Sequence, residues 1–187
     1  MNKMKGIMIV GNNIEDGEAL LTRDLLLRAG LKIDLVTIYK SNRSIRTAYG
    51  LDIKANYAMN QVELFEYDFL VIPGGAWVND ILSAPNDQIV SKLALHYYNN
   101  DKLVAAICAA PRFLGVEYLL KGKEFTCFPG CETKIEGNYR PDKKVVVEDS
   151  IITAKGLGAV FEFSYEIIRY LLGREAAEKV FQDTQYR

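Results

Sequence analysis

Short, nearly continuous apolar runs alternate with helix-length segments along this chain, and that alternation constrains the fold more than any other feature. Residues 6–10, 32–39, 68–72 and 103–107 are rich in Ile, Leu, Val and Ala. Runs of this kind suit strands buried on both faces. Residues 16–29, 76–82 and 86–98 lie between them and read as helices; in the first, Leu20, Leu21, Leu25, Leu26 and Leu27 supply an apolar face and Gly30 a stop. Strands joined through helices must run parallel, because only antiparallel neighbours can be joined by a tight turn. Right-handed crossovers then predict a doubly wound α/β/α sandwich with a mostly parallel sheet. Residues 40–58 are polar and mixed, and predict loop with short strands. Further on, residues 109–120 read as helix, 124–127, 145–147 and 151–154 as strands, and 159–172 as a long helix followed by an amphipathic tail from Glu175.

No repeat, low-complexity stretch or linker divides the 187 residues, so a single domain spanning 1–187 is expected. The 23 basic and 24 acidic residues leave a net charge of -1, which offers no electrostatic footprint for nucleic acid or an anionic membrane. The first apolar run is interrupted too early, at Gly11-Asn12-Asn13, to be read as a signal peptide, and no run approaches the ~20 residues of a bilayer span. Three cysteines, an odd number without secretory context, predict reduced thiols and a cytoplasmic location.

In doubly wound sheets the site lies at the carboxyl ends of the strands. Three polar or glycine-rich turns leave such ends here, at residues 11–18, 73–76 and 108–111, and should converge. The run Ala105-Ala106-Ile107-Cys108-Ala109-Ala110-Pro111 ends a buried strand at a thiol. Small neighbours suit a tight, strained strand-to-helix turn, and Pro111 suits the first turn of a helix. Cys108 then meets a helix N-terminus, which favours the thiolate. Burial as a simple packing residue is the alternative. Gly74 and Gly75 would let backbone N–H groups approach an anion and, with the Ala109 N–H, form an oxyanion hole. Either Glu15 or Glu18 could reach the thiol from the first turn of the helix at 16–29.

Together these segments resemble the ThiJ/PfpI superfamily, in its branch containing the parkinsonism-associated protein deglycase. The resemblance runs from Glu15-Asp16-Gly17-Glu18 through Val71-Ile72-Pro73-Gly74-Gly75 and the Cys108 turn to Gly156-Leu157-Gly158-Ala159-Val160-Phe161-Glu162-Phe163. It implies a flavodoxin-like fold and a homodimer. It also implies that Cys108 is the reactive cysteine, that Glu18 rather than Glu15 hydrogen-bonds it, and that Gly74, Gly75 and Ala109 line the pocket with backbone. The chain departs from the pattern where the family often has histidine: Phe128 precedes Pro129, and Ala109 follows the cysteine. The single histidine, His96, falls in the segment read as a surface helix, so a Cys-His-acid triad is not expected. Cys127 and Cys131 lack zinc-site spacing and histidine companions, so neither a metal nor another cofactor is expected.

The expected chemistry is a Cys108–Glu18 pair, aided by the helix dipole, that keeps the thiol ionised near neutral pH. It would act on an α-oxoaldehyde such as methylglyoxal, or on a glycated substrate, as relatives in this superfamily are assigned glyoxalase or deglycase activity. The alternative is a sensor of oxidative stress in which Cys108 stops at sulfinic acid, or, more remotely, a chaperone.

Overall fold

The computed structural model describes residues 4–84 and 88–186. In chain order the first strands are β1 (Lys5–Val10), β2 (Lys32–Thr37), β3 (Ser44–Arg46), β4 (Asp52–Lys54), β5 (Tyr57–Ala58) and β6 (Phe69–Ile72). They are followed by β7 (Leu103–Ile107), β8 (Glu124–Phe125), β9 (Asn138–Tyr139), β10 (Val145–Glu148) and β11 (Ile151–Ala154). The α-helices are α1 (Asp16–Arg28), α2 (Trp77–Ser83), α3 (Ile89–Asn99), α4 (Pro111–Val116), α5 (Val160–Leu172) and α6 (Arg174–Asp183).

Seven strands form one sheet in the order β10-β11-β7-β6-β1-β2-β5. All neighbours in it are parallel except β10, which returns antiparallel on β11. The central strands are almost wholly apolar because both faces are covered: every residue of β6, β7 and β11 is buried, and only Thr153 among them is polar. α1 packs on α5, and α5 on α6, while α2 and α3 both pack on α4. The chain runs from β1 outward to β2, then returns to β6 on the other side of β1. That reversal opens a crevice at the carboxyl ends of β1, β6 and β7. Among the described residues no helix is long and apolar enough to cross a membrane.

Three expectations need correction. The helix expected over 109–120 ends at Val116, because Tyr118 takes a left-handed conformation (φ 56°) and the Leu119 N–H closes back on the Leu114 carbonyl. This is a glycine-type stop made without glycine. The strand expected at 124–127 forms only over β8, pairing with β9 outside the main sheet. In α1 the buried stripe is Glu18, Ala19, Thr22, Leu25 and Leu26, whereas Leu27 is exposed. The start expected at Asn86 for the third helix lies outside the described residues.

Gly6 on β1 pairs in register with Phe69 on β6, and a Cβ at position 6 would sit 2.2 Å from the buried Phe69 ring. No strand residue larger than glycine fits there without displacing that ring. Gly6→Ala is therefore expected to destabilise the protein by about 1–3 kcal/mol, the usual cost of overpacking, measured by urea unfolding. An unchanged midpoint would show that the ring moves freely.

Candidate active site

The chain reverses sharply at Cys108, whose φ of 65° is a strained left-handed value for a residue with a side chain. The turn is held from both sides. The Cys108 N–H donates to the Ala154 carbonyl at 2.9 Å, and the Cys108 carbonyl accepts from the Phe128 N–H at 2.9 Å. Ala110 closes the turn by donating to the Ile107 carbonyl, and Pro111 opens α4. Close approach makes Gly74 necessary, since a Cβ there would lie 2.5 Å from both the Cys108 Cβ and the Glu18 Oε2.

Glu18 reaches the thiol from the first turn of α1. Glu15 is the N-cap of that helix, and its Oε2 accepts the Glu18 N–H at 2.7 Å. The Glu18 side chain points inward and is 1% exposed. Its Oε2 accepts the Gly74 N–H at 3.0 Å; the carboxyl also meets the Leu157 N–H and shares a hydrogen bond with Cys108. The three turns expected to converge are tied together here. Glu15 N–H donates to the Gly74 carbonyl at 3.0 Å, and Ile14 bridges Gly75.

Burial dominates the electrostatics. It raises the Glu18 pKa to about 7; the Glu15 charge adds to the rise, while the Cys108 hydrogen bond and the Gly74 and Leu157 N–H groups oppose it. Burial also pushes the Cys108 thiol up, and the charge and hydrogen bond of Glu18 push the same way against the Ala109 and Gly75 N–H groups. The expectation of a thiol already ionised near neutral pH is corrected accordingly. The helix that follows has only the six residues of α4, too short for a strong dipole, and the surroundings favour the neutral thiol. The pair instead titrates as a unit, with Glu18 the group that changes charge near neutrality.

The backbone groups divide their work differently from expectation. Gly75 and Ala109 direct N–H groups at the sulfur, whereas the Gly74 N–H is taken up by Glu18 and is not free for an oxyanion. Phe128 is half-exposed and lines the pocket, and its ring lies against Gly156, 3.6 Å from where a Cβ would stand. His96 lies on α3 against Phe65, with ring centroids 4.7 Å apart, and does not line the pocket. Cys127 is fully buried, and burial raises it to about 12. Cys131 is partly buried beside Arg112 and is likewise raised, chiefly by burial. No cluster of His, Cys, Asp or Glu among the described residues could hold a metal. The pocket above Cys108 has a volume of about 560 Å³. Its walls include Tyr49, Lys144, Lys155 and Leu157, for which residue type and spacing in the sequence signal no role. Leu157 acts on Glu18 through its backbone N–H, which leaves no side-chain signature.

Removing the Glu18 charge removes one cause of the raised thiol pKa. Glu18→Gln is therefore expected to move the Cys108 titration downward, followed as thiolate absorbance against pH, and Glu15→Gln to move it less. An equal or larger shift for Glu15→Gln would assign the pairing to the other carboxylate.

The sequence over residues 4–170 matches the DJ-1/PfpI family. Protein dj-1beta of Drosophila melanogaster is 28% identical over 176 residues, covering 93% of this chain and 92% of that protein. Glutathione-independent glyoxalase DJR-1.2 of Caenorhabditis elegans is 29% identical over 178 residues, covering 94% and 92%. The crystal structure of Drosophila melanogaster DJ-1beta superposes with a TM-score of 0.89 at 26% identity, covering 98% of both chains. The fold, the turn at Cys108 and these similarities lead to one conclusion: the chain belongs to the DJ-1/PfpI family.

Proposed function

We propose that this protein is a cofactor-independent glyoxalase that converts α-oxoaldehydes such as methylglyoxal to 2-hydroxy acids, with Cys108 as nucleophile and Glu18 as proton carrier. The observation that carries the reading is a buried carboxyl, raised to about 7, hydrogen-bonded to a thiol at the floor of an open pocket. A carboxyl tuned to the working pH can both take and return a proton. The similarity to a relative named as a glutathione-independent glyoxalase supports the same reading.

The chemistry balances without an external redox partner. Sγ bonds to the aldehyde carbon while its proton passes to the Glu18 carboxylate; the carbonyl electron pair moves to oxygen, which takes that proton and leaves a hemithioacetal. Glu18 next removes the C–H proton of the same carbon, giving an enediolate. It returns the proton to the neighbouring carbon as the hydroxyl proton moves from the first oxygen to the second. The aldehyde carbon is thereby oxidised and the ketone carbon reduced, within a thioester. Water cleaves the thioester, releasing the 2-hydroxy acid and restoring the thiol. The Gly75 and Ala109 N–H groups steady the sulfur as negative charge develops on it. The same nucleophile could attack the carbon of a glycated amine, the deglycase-type variant. A homodimer in the cytoplasm, with three free thiols, completes the proposal.

A second reading shares the same pair. Two successive peroxide molecules, each losing water, would take Cys108 to sulfinic acid, with Glu18 hydrogen-bonded to the oxidised sulfur. Toxoplasma gondii DJ-1, 26% identical with a TM-score of 0.85, has been solved in an oxidized form.

Purified protein should release lactate from methylglyoxal with steady turnover. Cys108→Ala should abolish it, and His96→Ala should leave it within about twofold, because the histidine lies outside the pocket. Background turnover in a folded protein whose Cys108 oxidises readily would favour the sensor instead. A loss of about tenfold in His96→Ala, roughly 1.4 kcal/mol, would refute a histidine-free mechanism.

A further inference from the structure

Three large apolar side chains stand around the mouth of the Cys108 pocket with much of their surface in water. Tyr49 is 83% exposed, Phe128 53% and Leu157 53%, and all three line the cavity. Each is seated on the site itself. The Tyr49 N–H donates to Asp16 Oδ1 at 3.1 Å, at the start of α1. Leu157 covers Gly17, where a Cβ would lie 2.4 Å from its Cδ1, and Phe128 covers Gly156, where a Cβ would lie 3.6 Å from its ring and 3.8 Å from Sγ. The apolar groups thus form a collar around the pocket that holds the sulfur.

The cavity of about 560 Å³ falls within the ~300–1,000 Å³ typical of pockets for drug-sized ligands, far more room than a three-carbon aldehyde fills. Methylglyoxal would touch the floor and leave the collar wet. An aromatic or branched alkyl group on the ketone carbon would extend outward from the reacting aldehyde and cover it. We infer that the collar of Tyr49, Phe128 and Leu157 makes this protein selective for α-oxoaldehydes carrying a bulky apolar substituent. The inference rests on the proposed reaction for its turnover, but its binding step stands apart from that reaction.

The test compares phenylglyoxal with methylglyoxal in wild type, Phe128→Ala, Leu157→Ala and Tyr49→Ala. The readout is the ratio of kcat/KM for the two substrates, so their different intrinsic reactivities cancel between proteins. Protection of Cys108 from iodoacetamide by mandelate and by lactate reads binding without turnover. The ratio should fall about tenfold or more in Phe128→Ala or Leu157→Ala, within the ~10–200-fold range set by small apolar differences in a pocket. Mandelate should protect wild type better than lactate and lose that advantage in the variants. Turnover of both aldehydes with an unchanged ratio would overturn the collar's role and leave the glyoxalase reading intact. If neither aldehyde turns over, the glyoxalase reading falls, and equal protection by mandelate and lactate would then remove the selective pocket as well. Dissociation of a dimer by Tyr49→Ala, seen by sedimentation with the ratio unchanged, would assign the collar to contact between copies and overturn the inference.

Discussion

Placing one carboxyl group out of water against a thiol is the constraint on which the site depends. Glu18 is 1% exposed, and an ionised carboxylate in that position is costly unless donors meet it. The donors come from two other turns, as the Gly74 N–H and the Leu157 N–H. They compensate only in part, so the pKa settles at about 7 rather than near the ordinary 4.5. A carboxyl with that value is half ionised where cells work. It can serve as base toward the thiol and then as acid toward the substrate without any imidazole.

The sheet supplies the placement. β1, β6 and β7 are adjacent, so the turns that follow them meet at one edge. Two of them contribute an unusual backbone feature. Gly74 admits the sulfur and the carboxylate to the same space, and Cys108 accepts a left-handed conformation because Ala154 and Phe128 pin its N–H and carbonyl. Strain of this kind, typically ~1–3 kcal/mol, persists only where the surrounding fold over-determines it. The buried apolar strands around it provide that rigidity.

The core strands β1, β2, β6 and β7 were legible in the sequence because burial on both faces leaves nearly unbroken apolar runs, and the Cys108 turn because small residues flank it; the short pair β8–β9 outside the main sheet leaves no such run. Glu15 and Glu18 could not be separated by pattern: both sit in a helix's first turn, and only resemblance favoured Glu18. In the structure Glu15 caps the helix and Glu18 enters the core. The end of α4 was hidden because Tyr118 does the work of a glycine. The contribution of Leu157 was hidden because it is a backbone N–H. Desolvation was the largest omission. A helix start suggested an acidic thiol, but the depth at which Cys108 sits outweighs a helix of only six residues.

The chemistry requires that Glu18 hold a proton until about neutral pH. Infrared difference spectroscopy from about pH 5 to about pH 9 reads this directly through the carbonyl stretch of a protonated carboxyl, assigned by its absence in Glu18→Gln. The band should persist through the acidic range and disappear with a midpoint of about 7. A band lost near 4.5, the ordinary value, would contradict it and leave the pair without its proton carrier.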